Sequence, residues 1–107
     1  MAFTKPQELP TGATVTTYRV GFYRVDYSTR EASAHFTASI TPESPRPLVP
    51  LFAKLRLTGE AFDRYLSKAT LAQPGGADIV GRLYEAAKVE PAVCDFGADF
   101  FHDAVNS

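Results

Sequence analysis

Four carboxylates near the C-terminus form the clearest pattern of chemically capable residues in this sequence. Asp95, Asp99 and Asp103 are spaced four residues apart, and Glu90 precedes them. If the segment is helical, residues at i, i+4 and i+8 share one face, so the three aspartates would form an acidic stripe. Spaced carboxylates can occupy a basic groove on a partner, and we interpret this stripe as a candidate partner-binding surface. A solvated helix face is the alternative interpretation.

Cys94, His102 and Asp99 together contain the side-chain types of a nucleophile, a base and an orienting acid. Closeness in sequence is weak support for a triad, because the members of a triad meet in space. No recognised nucleophile motif surrounds Cys94, and a single cysteine can form neither an intrachain disulfide nor a thiolate cluster. We therefore predict no catalytic residue, no metal site and no cofactor, and an enzyme is the less favoured interpretation.

A second set of residues is mostly basic and is predicted to lie on the solvent-facing side of a sheet. Its members are Arg19, Arg24, His35, Phe52, Lys54 and Arg56. A basic sheet face with aromatic rings can bind single-stranded nucleic acid, but a net charge of −1 lacks the expected basic signature. We retain nucleic acid as an alternative and favour an ordinary wet face or a contact with a second subunit.

Four tyrosines suggest a third kind of site. Tyr18, Tyr23, Tyr65 and Tyr84 could line a pocket between a sheet and helices, which would make the protein a small-ligand-binding protein or a small enzyme. Simple filling of the core by these rings is the alternative interpretation.

The elements that position these residues begin with residues 14–41, which we predict to form one long antiparallel hairpin. Apolar and polar residues alternate without a break over residues 33–41, which is typical of a strand with one buried face. On the first arm the alternation changes parity between Phe22 and Tyr23, next to Gly21, and we predict a β-bulge there. A turn at residues 28–31 would then place Val25 opposite Ala34.

The remaining elements complete an α+β prediction. Alternation predicts a third strand over residues 51–57, with Leu51 directed inward and Phe52 outward. Helical spacing predicts an amphipathic helix over residues 59–72, a second from Asp78 to about residue 88, and a short acidic one over residues 98–105. The expected architecture is a three-stranded antiparallel sheet with two or three helices packed on one face.

Two segments lack such a pattern. Residues 1–13 contain Pro6, Pro10 and Gly12, and we predict a flexible or edge-hugging arm there. Residues 42–50 contain four prolines, which forbid a helix and favour an extended, proline-rich crossover.

Length, composition and charge limit the domain number and the kinds of partner that we expect. At 107 residues and 45% apolar residues, the chain is expected to form a single domain, residues 1–107. Residues 1–58 carry an excess of basic side chains and residues 59–107 an excess of acidic ones, which favours contact with a charged partner or head-to-tail contact. Without a signal-peptide or membrane-spanning pattern, we expect a cytoplasmic protein with no membrane partner.

We therefore predict a small protein-binding or regulatory module that acts by protein–protein contact. By analogy, these properties would suit an accessory inhibitor or immunity-type protein of a mobile element. A homodimer is also expected, because a three-stranded sheet leaves its edges and one face uncovered.

Overall fold

The computed structural model describes residues 2–43, 46–67 and 79–106. Within these ranges the chain forms six strands and two helices: β1 (Phe3–Glu8), β2 (Thr14–Asp26), β3 (Glu31–Ser39), β4 (Val49–Thr58), α1 (Glu60–Leu66), α2 (Ile79–Ala87), β5 (Ala92–Cys94) and β6 (Val105–Asn106). The strands form one curled antiparallel sheet in the order β5-β4-β3-β2-β1-β6.

The α+β class is confirmed, but the predicted three-stranded sheet is wrong. The hairpin and the third strand form the centre of the sheet, and β1, β5 and the two-residue β6 extend it on both sides. The added strands are short or irregular, so none of them shows the alternation by which strands are recognised in a sequence.

The N-terminal segment, predicted as a flexible or edge-hugging arm within residues 1–13, contains β1. Phe3 pairs with Tyr18 of β2 and is fully buried. The pairing shifts its register around Pro6, which has no backbone N–H to offer to a ladder. This interruption explains why the sequence of β1 shows no regular two-residue pattern.

β2 and β3 form the predicted hairpin with a register that differs by two residues. Val25 lies opposite Ala32 rather than Ala34. The turn spans residues 27–30, one residue earlier than predicted. A slip of two residues leaves every side chain on its expected face, so alternation alone cannot distinguish the two registers.

Strand β4 extends beyond the predicted residues 51–57, and its first half faces the opposite way. Phe52 is buried, whereas Leu51 is 58% exposed. Residues 50–52 stand opposite a single residue of β3, and Pro50 in this bulge lacks an N–H for the ladder. The extra residues exchange the directions that the sequence suggested, so Leu51 points outward and Phe52 points into the core.

Helix α1 ends at Leu66, because Ser67 has an extended backbone with φ −60° and ψ 149°. The predicted continuation to residue 72 and the cap at Asp78 fall largely on residues 68–78, which lie outside the described residues. Arg82 of α2 donates to the carbonyl oxygens of Tyr65 and Arg64 at 3.0 and 3.2 Å. These bonds satisfy carbonyl groups that a helix leaves unpaired at its end, and they join the two helices.

The predicted acidic helix over residues 98–105 is not formed. Residues 98–103 are turns, and β6 follows them. Phe100 and Phe101 are nevertheless both buried, as the sequence suggested. Two adjacent rings that both enter the core are accommodated by a turn, whereas consecutive helical residues point about 100° apart.

The core is dominated by aromatic rings. The Phe101 ring centroid lies 4.7 Å from that of Phe36, 5.3 Å from that of Phe3 and 5.6 Å from that of Tyr18. This cluster ties the C-terminal turn to β1, β2 and β3, so the turn closes one end of the core.

Candidate functional site

Within the part of the chain that the structure describes, the helices cover one face of the central sheet and leave the other face open. On the covered face, which we call the core face, the Tyr84 ring of α2 lies 5.7 Å from the Phe36 ring, and Phe62 of α1 is buried. On the opposite face, Phe22 of β2 and Val93 of β5 are 58% and 75% exposed. Both described helices lie on the core face, and we call the opposite side of β2, β3, β4 and β5 the outer face.

Strand β2 contains a β-bulge, but its extra residue is Gly21, whereas the sequence placed the bulge at Phe22 and Tyr23. The pairing with β3 shifts between Val20 and Phe22. A Cβ atom on Gly21 would lie 2.5 Å from Cγ2 of Thr37, so a side chain at this position would force a local shift. Because the bulge precedes Phe22, the side chains of Phe22 and Arg24 belong to the outer face.

Tyr84 of α2 supports this bulge from the core face. The Val20 N–H donates to the Tyr84 hydroxyl oxygen at 2.8 Å, which gives a partner to a backbone group that the irregular ladder leaves available. Burial raises the pKa of Tyr84, so its hydroxyl stays neutral at ordinary pH. The packing of α2 against the sheet therefore helps to fix the orientation of Phe22 and Arg24.

One row of side chains crosses the whole outer face. Phe22 pairs with His35, His35 pairs with Lys54, and Lys54 pairs with Val93. The Phe22 and His35 ring centroids are 5.5 Å apart. The row thus presents two rings, a lysine and a valine side by side, an arrangement with apolar surface at both ends.

A second row lies beside the first and is basic. Arg24 pairs with Ser33, and Ser33 pairs with Arg56. A cleft of about 240 Å³ runs along this row, and its lining residues are Arg24, Asp26, Thr29, Glu31, Ala32, Ser33, Lys54 and Arg56. Three cations, two carboxylates and two hydroxyl groups therefore surround one concave surface.

The two carboxylates of the cleft already have partners. One Asp26 carboxylate oxygen accepts hydrogen bonds from the Ser28 N–H at 2.9 Å and from the Ser28 hydroxyl at 2.6 Å. These bonds, with a smaller contribution from the charge of Arg24, lower the pKa of Asp26. Glu31 forms an ion pair with Arg56 at 3.4 Å. The carboxylates are thus held in the turn and on β3 while the centre of the cleft stays basic.

Four of the six residues predicted for the sheet-face contact lie together on the outer face. Arg24, Lys54 and Arg56 line the cleft, and His35 occupies the neighbouring row. The structure thus brings most of this set together on three adjacent strands.

The other two predicted members lie outside this group. Arg19 is on the outer face opposite Thr37, but it precedes the bulge, and its guanidinium donates to the carbonyl oxygen of Pro42 at 3.0 Å. Phe52 lies on the core face, where its ring stacks on that of Phe96 with centroids 5.5 Å apart. The bulge at residues 50–52 accounts for the placement of Phe52.

Phe22 and Val93 were missed as outer-face residues. The signal for Phe22 was the broken alternation on the first arm, but its direction depends on whether the bulge precedes or follows it. Val93 lies on a three-residue strand between Ala92 and Cys94. A strand of this length gives too few alternating positions to be recognised from sequence alone.

The acidic residues do not form a helical stripe. Asp103 forms an ion pair with Lys5 at 2.8 Å, and Glu90 pairs with Arg64 at 3.1 Å. Asp95 and Asp99 are exposed in the turns that lead to β6. Two of the four carboxylates are therefore engaged within the fold, and the proposed role of all four in partner binding stays a prediction.

Lys5 of β1 fastens the C-terminal turn to the sheet. Its Nζ donates to the Asp103 carboxylate at 2.8 Å and to the Phe100 carbonyl oxygen at 2.9 Å, and it lies 4.2 Å from the centroid of the Phe100 ring. The Tyr18 hydroxyl donates to the Lys5 carbonyl oxygen at 2.8 Å. The hydrogen bond from Lys5, and then its charge, lower the pKa of Asp103. These contacts join β1 to the C-terminal turn.

The four tyrosines predicted to line a pocket occupy different environments. Tyr18 and Tyr84 are buried, Tyr65 is 8% exposed, and Tyr23 is 42% exposed. The Tyr18 ring lies 4.9 Å from that of Phe52 and within 5.6 Å of two further rings. Burial raises the pKa of Tyr18. The space around Tyr18 is thus occupied by packed aromatic side chains.

Cys94 and His102 make contacts that suit structural roles. Burial raises the pKa of the half-buried Cys94 thiol, which disfavours the reactive thiolate. The His102 Nε2 atom lies 3.1 Å from the carbonyl oxygen of Glu90. Among the residues that the structure describes, no group of three or more metal-ligating side chains is arranged to hold an ion.

Comparisons with known proteins found no matching family model, no matching curated protein and no matching solved structure. Neither of the two described helices has the length and apolar character needed to cross a membrane. The functional assignment therefore rests on the geometry of the outer face.

Proposed function

We propose that this protein is a small binding or regulatory module and that the outer face of its sheet is the surface that contacts a protein partner. The observation that carries this proposal is the cross-strand row of Phe22, His35, Lys54 and Val93, in which the two end members are more than half exposed. Large apolar side chains that stay exposed beside polar ones on one sheet face mark a candidate interaction surface.

The charges of the outer face favour an acidic protein segment as the occupant. The basic row contains Arg24 and Arg56. Lys54 belongs to the row of Phe22, His35 and Val93, and it also lines the cleft. Complementary charge guides encounter and register between protein surfaces. We therefore propose a partner segment that combines acidic and apolar side chains.

Nucleic acid has less support as the occupant. Asp26 and Glu31 line the same cleft as the cations, and they would repel successive phosphates of a backbone. The chain as a whole has a net charge of −1, whereas nucleic-acid-binding domains typically show a clear basic excess.

The test is affinity capture from cells that express the tagged protein, with two matched charge reversals. Arg24→Glu combined with Lys54→Glu inverts the outer face, and Asp95→Lys combined with Asp99→Lys inverts the C-terminal turns. We expect the first variant to lose a protein partner that both the wild type and the second variant retain. Circular dichroism of all three proteins controls for folding.

Four results would contradict the proposal. Loss of capture in the Asp95 and Asp99 variant alone would assign the contact to the acidic turns. Retention in the Arg24 and Lys54 variant would remove the outer face from consideration. Capture that nuclease abolishes and protease does not would identify nucleic acid as the occupant. Capture of only a second copy of this chain would assign the face to a homodimer instead.

A further inference from the structure

We propose that the cleft along β2, β3 and β4 is a subsite for one carboxylate side chain of the partner segment. This inference rests on the proposed function and specifies the group that the cleft binds. It is carried by the arrangement of Arg24, Lys54 and Arg56 around a concave surface of about 240 Å³.

The first observation is that two cations of the cleft remain available. Among the residues that the structure describes, neither Arg24 nor Lys54 forms a salt bridge or donates a side-chain hydrogen bond. Other cations are engaged: Arg82 pairs with Glu85, and Arg30 pairs with Asp63. Free donors of Arg24 and Lys54 can therefore bind an incoming anion without breaking an existing ion pair.

The second observation concerns the carboxylates, which limit the charge that the cleft accepts. Asp26 is held by Ser28, and Glu31 is paired with Arg56. The three cations exceed the two carboxylates of the lining by one charge. This excess matches a single carboxylate, whereas a phosphoryl group would bring up to two charges beside Asp26 and Glu31.

The third observation is the position of Ser33 at the middle of the basic row. Ser33 is paired with Arg24 on one side and with Arg56 on the other. A carboxylate bound between the cations would lie within reach of a hydroxyl donor as well as a guanidinium. Planar guanidinium groups match the geometry of a carboxylate, which favours binding in a fixed orientation.

The experiment is a titration of the full chain with defined peptides, followed by ¹H–¹⁵N NMR at low salt. The probe is acetyl-Glu-Val-Glu-Val-Glu-amide, and the matched control is the same peptide with glutamine in place of glutamate. We expect the glutamate peptide to shift the Ser33 amide and the Arg24 Nε signals, while the glutamine peptide leaves both unchanged. High salt should weaken the binding, because the cleft is open to solvent.

Two variants in which glutamine replaces cationic side chains locate the subsite. Arg24→Gln combined with Lys54→Gln should weaken binding of the glutamate peptide by about tenfold, as two exposed ion pairs would. Arg19→Gln is the control, because Arg19 lies on β2 outside the cleft and is bonded to Pro42. This control should change the affinity by less than about twofold.

The outcomes separate this inference from the proposed function. Equal weakening by both variants would show diffuse attraction and overturn the subsite, as would binding of the glutamine peptide at the same affinity. Tighter binding of a phosphoserine peptide than of the glutamate peptide would contradict the inference that the cleft binds a group with one negative charge. If these results appear while partner capture still depends on the outer face, the subsite is wrong and the proposed function stands.

Discussion

Lys5 and Lys54 are lysines on strands of the same sheet, and their surroundings differ sharply. The Lys5 ammonium group contacts the Asp103 carboxylate, the Phe100 carbonyl oxygen and the Phe100 ring. Lys54 lies in a row with His35 and Val93 and has no salt bridge within the described part of the chain. The first lysine serves the fold, and the second is available to a ligand, although the sequence presents both as surface cations.

The same contrast holds for the aromatic residues of the two regions. Phe101 is 1% exposed and contacts several rings of the core, whereas Phe22 is 58% exposed and contacts the His35 ring. Buried rings in the C-terminal turn thus stabilise the fold, and the exposed ring on the outer face contributes little to it.

Phe101→Ala is expected to destabilise the protein by about 3–5 kcal/mol, because it removes a buried ring and leaves a cavity. Phe22→Ala is the matched control and should change the free energy of unfolding by about 0.5 kcal/mol or less, as is usual at exposed positions. Urea unfolding followed by circular dichroism measures both. A loss at Phe22 as large as that at Phe101 would show that the outer face is covered.

Gly21→Ala is expected to cost about 1–3 kcal/mol, since the added methyl group would overlap Cγ2 of Thr37. Thr37→Ser removes that methyl group, so the double variant should recover most of the loss. Thermal unfolding of both single variants and the double variant gives the coupling energy. Strictly additive effects would mean that the bulge relaxes without the proposed contact.

Tyr84→Phe should destabilise the protein by about 1–2 kcal/mol, because the Val20 N–H would lose its hydroxyl partner. Tyr65→Phe is the matched control, as the Tyr65 hydroxyl makes no hydrogen bond within the described residues. Tyr65→Phe should therefore lower the free energy of unfolding by less than Tyr84→Phe does. An additional decrease in amide protection of Val20 on hydrogen exchange would locate the effect at the bulge. Equal effects of the two substitutions would contradict the support of the bulge by Tyr84.

Asp103→Asn should reduce stability slightly at neutral pH, and the difference from the wild type should vanish in acid. Lys5 lowers the pKa of Asp103 below the ordinary value of 3.8, so the folded state binds this proton less readily than the unfolded state. The stabilisation is therefore complete above pH 3.8 and is lost as the pH falls through the folded-state pKa. Unfolding midpoints measured between neutral and acidic pH test this dependence.

Asp99→Asn is the control for that series. Asp99 has no salt bridge within the described part of the chain. Its replacement should leave the free energy of unfolding at neutral pH nearly unchanged. A constant difference between wild type and Asp103→Asn down to the lowest pH would contradict the Lys5–Asp103 pair.

The sequence predicted the centre of the sheet because apolar and polar residues alternate strictly along β3. Ala34, Phe36 and Ala38 are fully buried, as their spacing indicated. It could not predict the register, because a slip of two residues preserves each face. That choice depends on the turn, where Asp26 binds Ser28 and Arg30 adopts a positive φ of 55°. Such local contacts are not visible in a pattern of apolar residues.

The candidate site was predicted in part. Arg24, Lys54 and Arg56 were assigned to one sheet face from parity alone, and they line one cleft. Phe52 was predicted on the wrong face, and Phe22 was not predicted on the outer face. Each lies at or beside a bulge, which changes the face to which the neighbouring side chains point. A bulge can be inferred from broken alternation, but the side on which it falls is decided by packing, here by Gly21 against Thr37.

The most direct test of the outer face as the contact surface is site-specific photo-cross-linking in cells. A benzophenone side chain replaces Phe22 in one variant and Val89 in the other, because the two residues have similar exposures of 58% and 60%. We predict a protein adduct at position 22 that Arg24→Glu with Lys54→Glu abolishes, and none at position 89. Equal adducts at both positions, or an adduct only at position 89, would contradict the assignment.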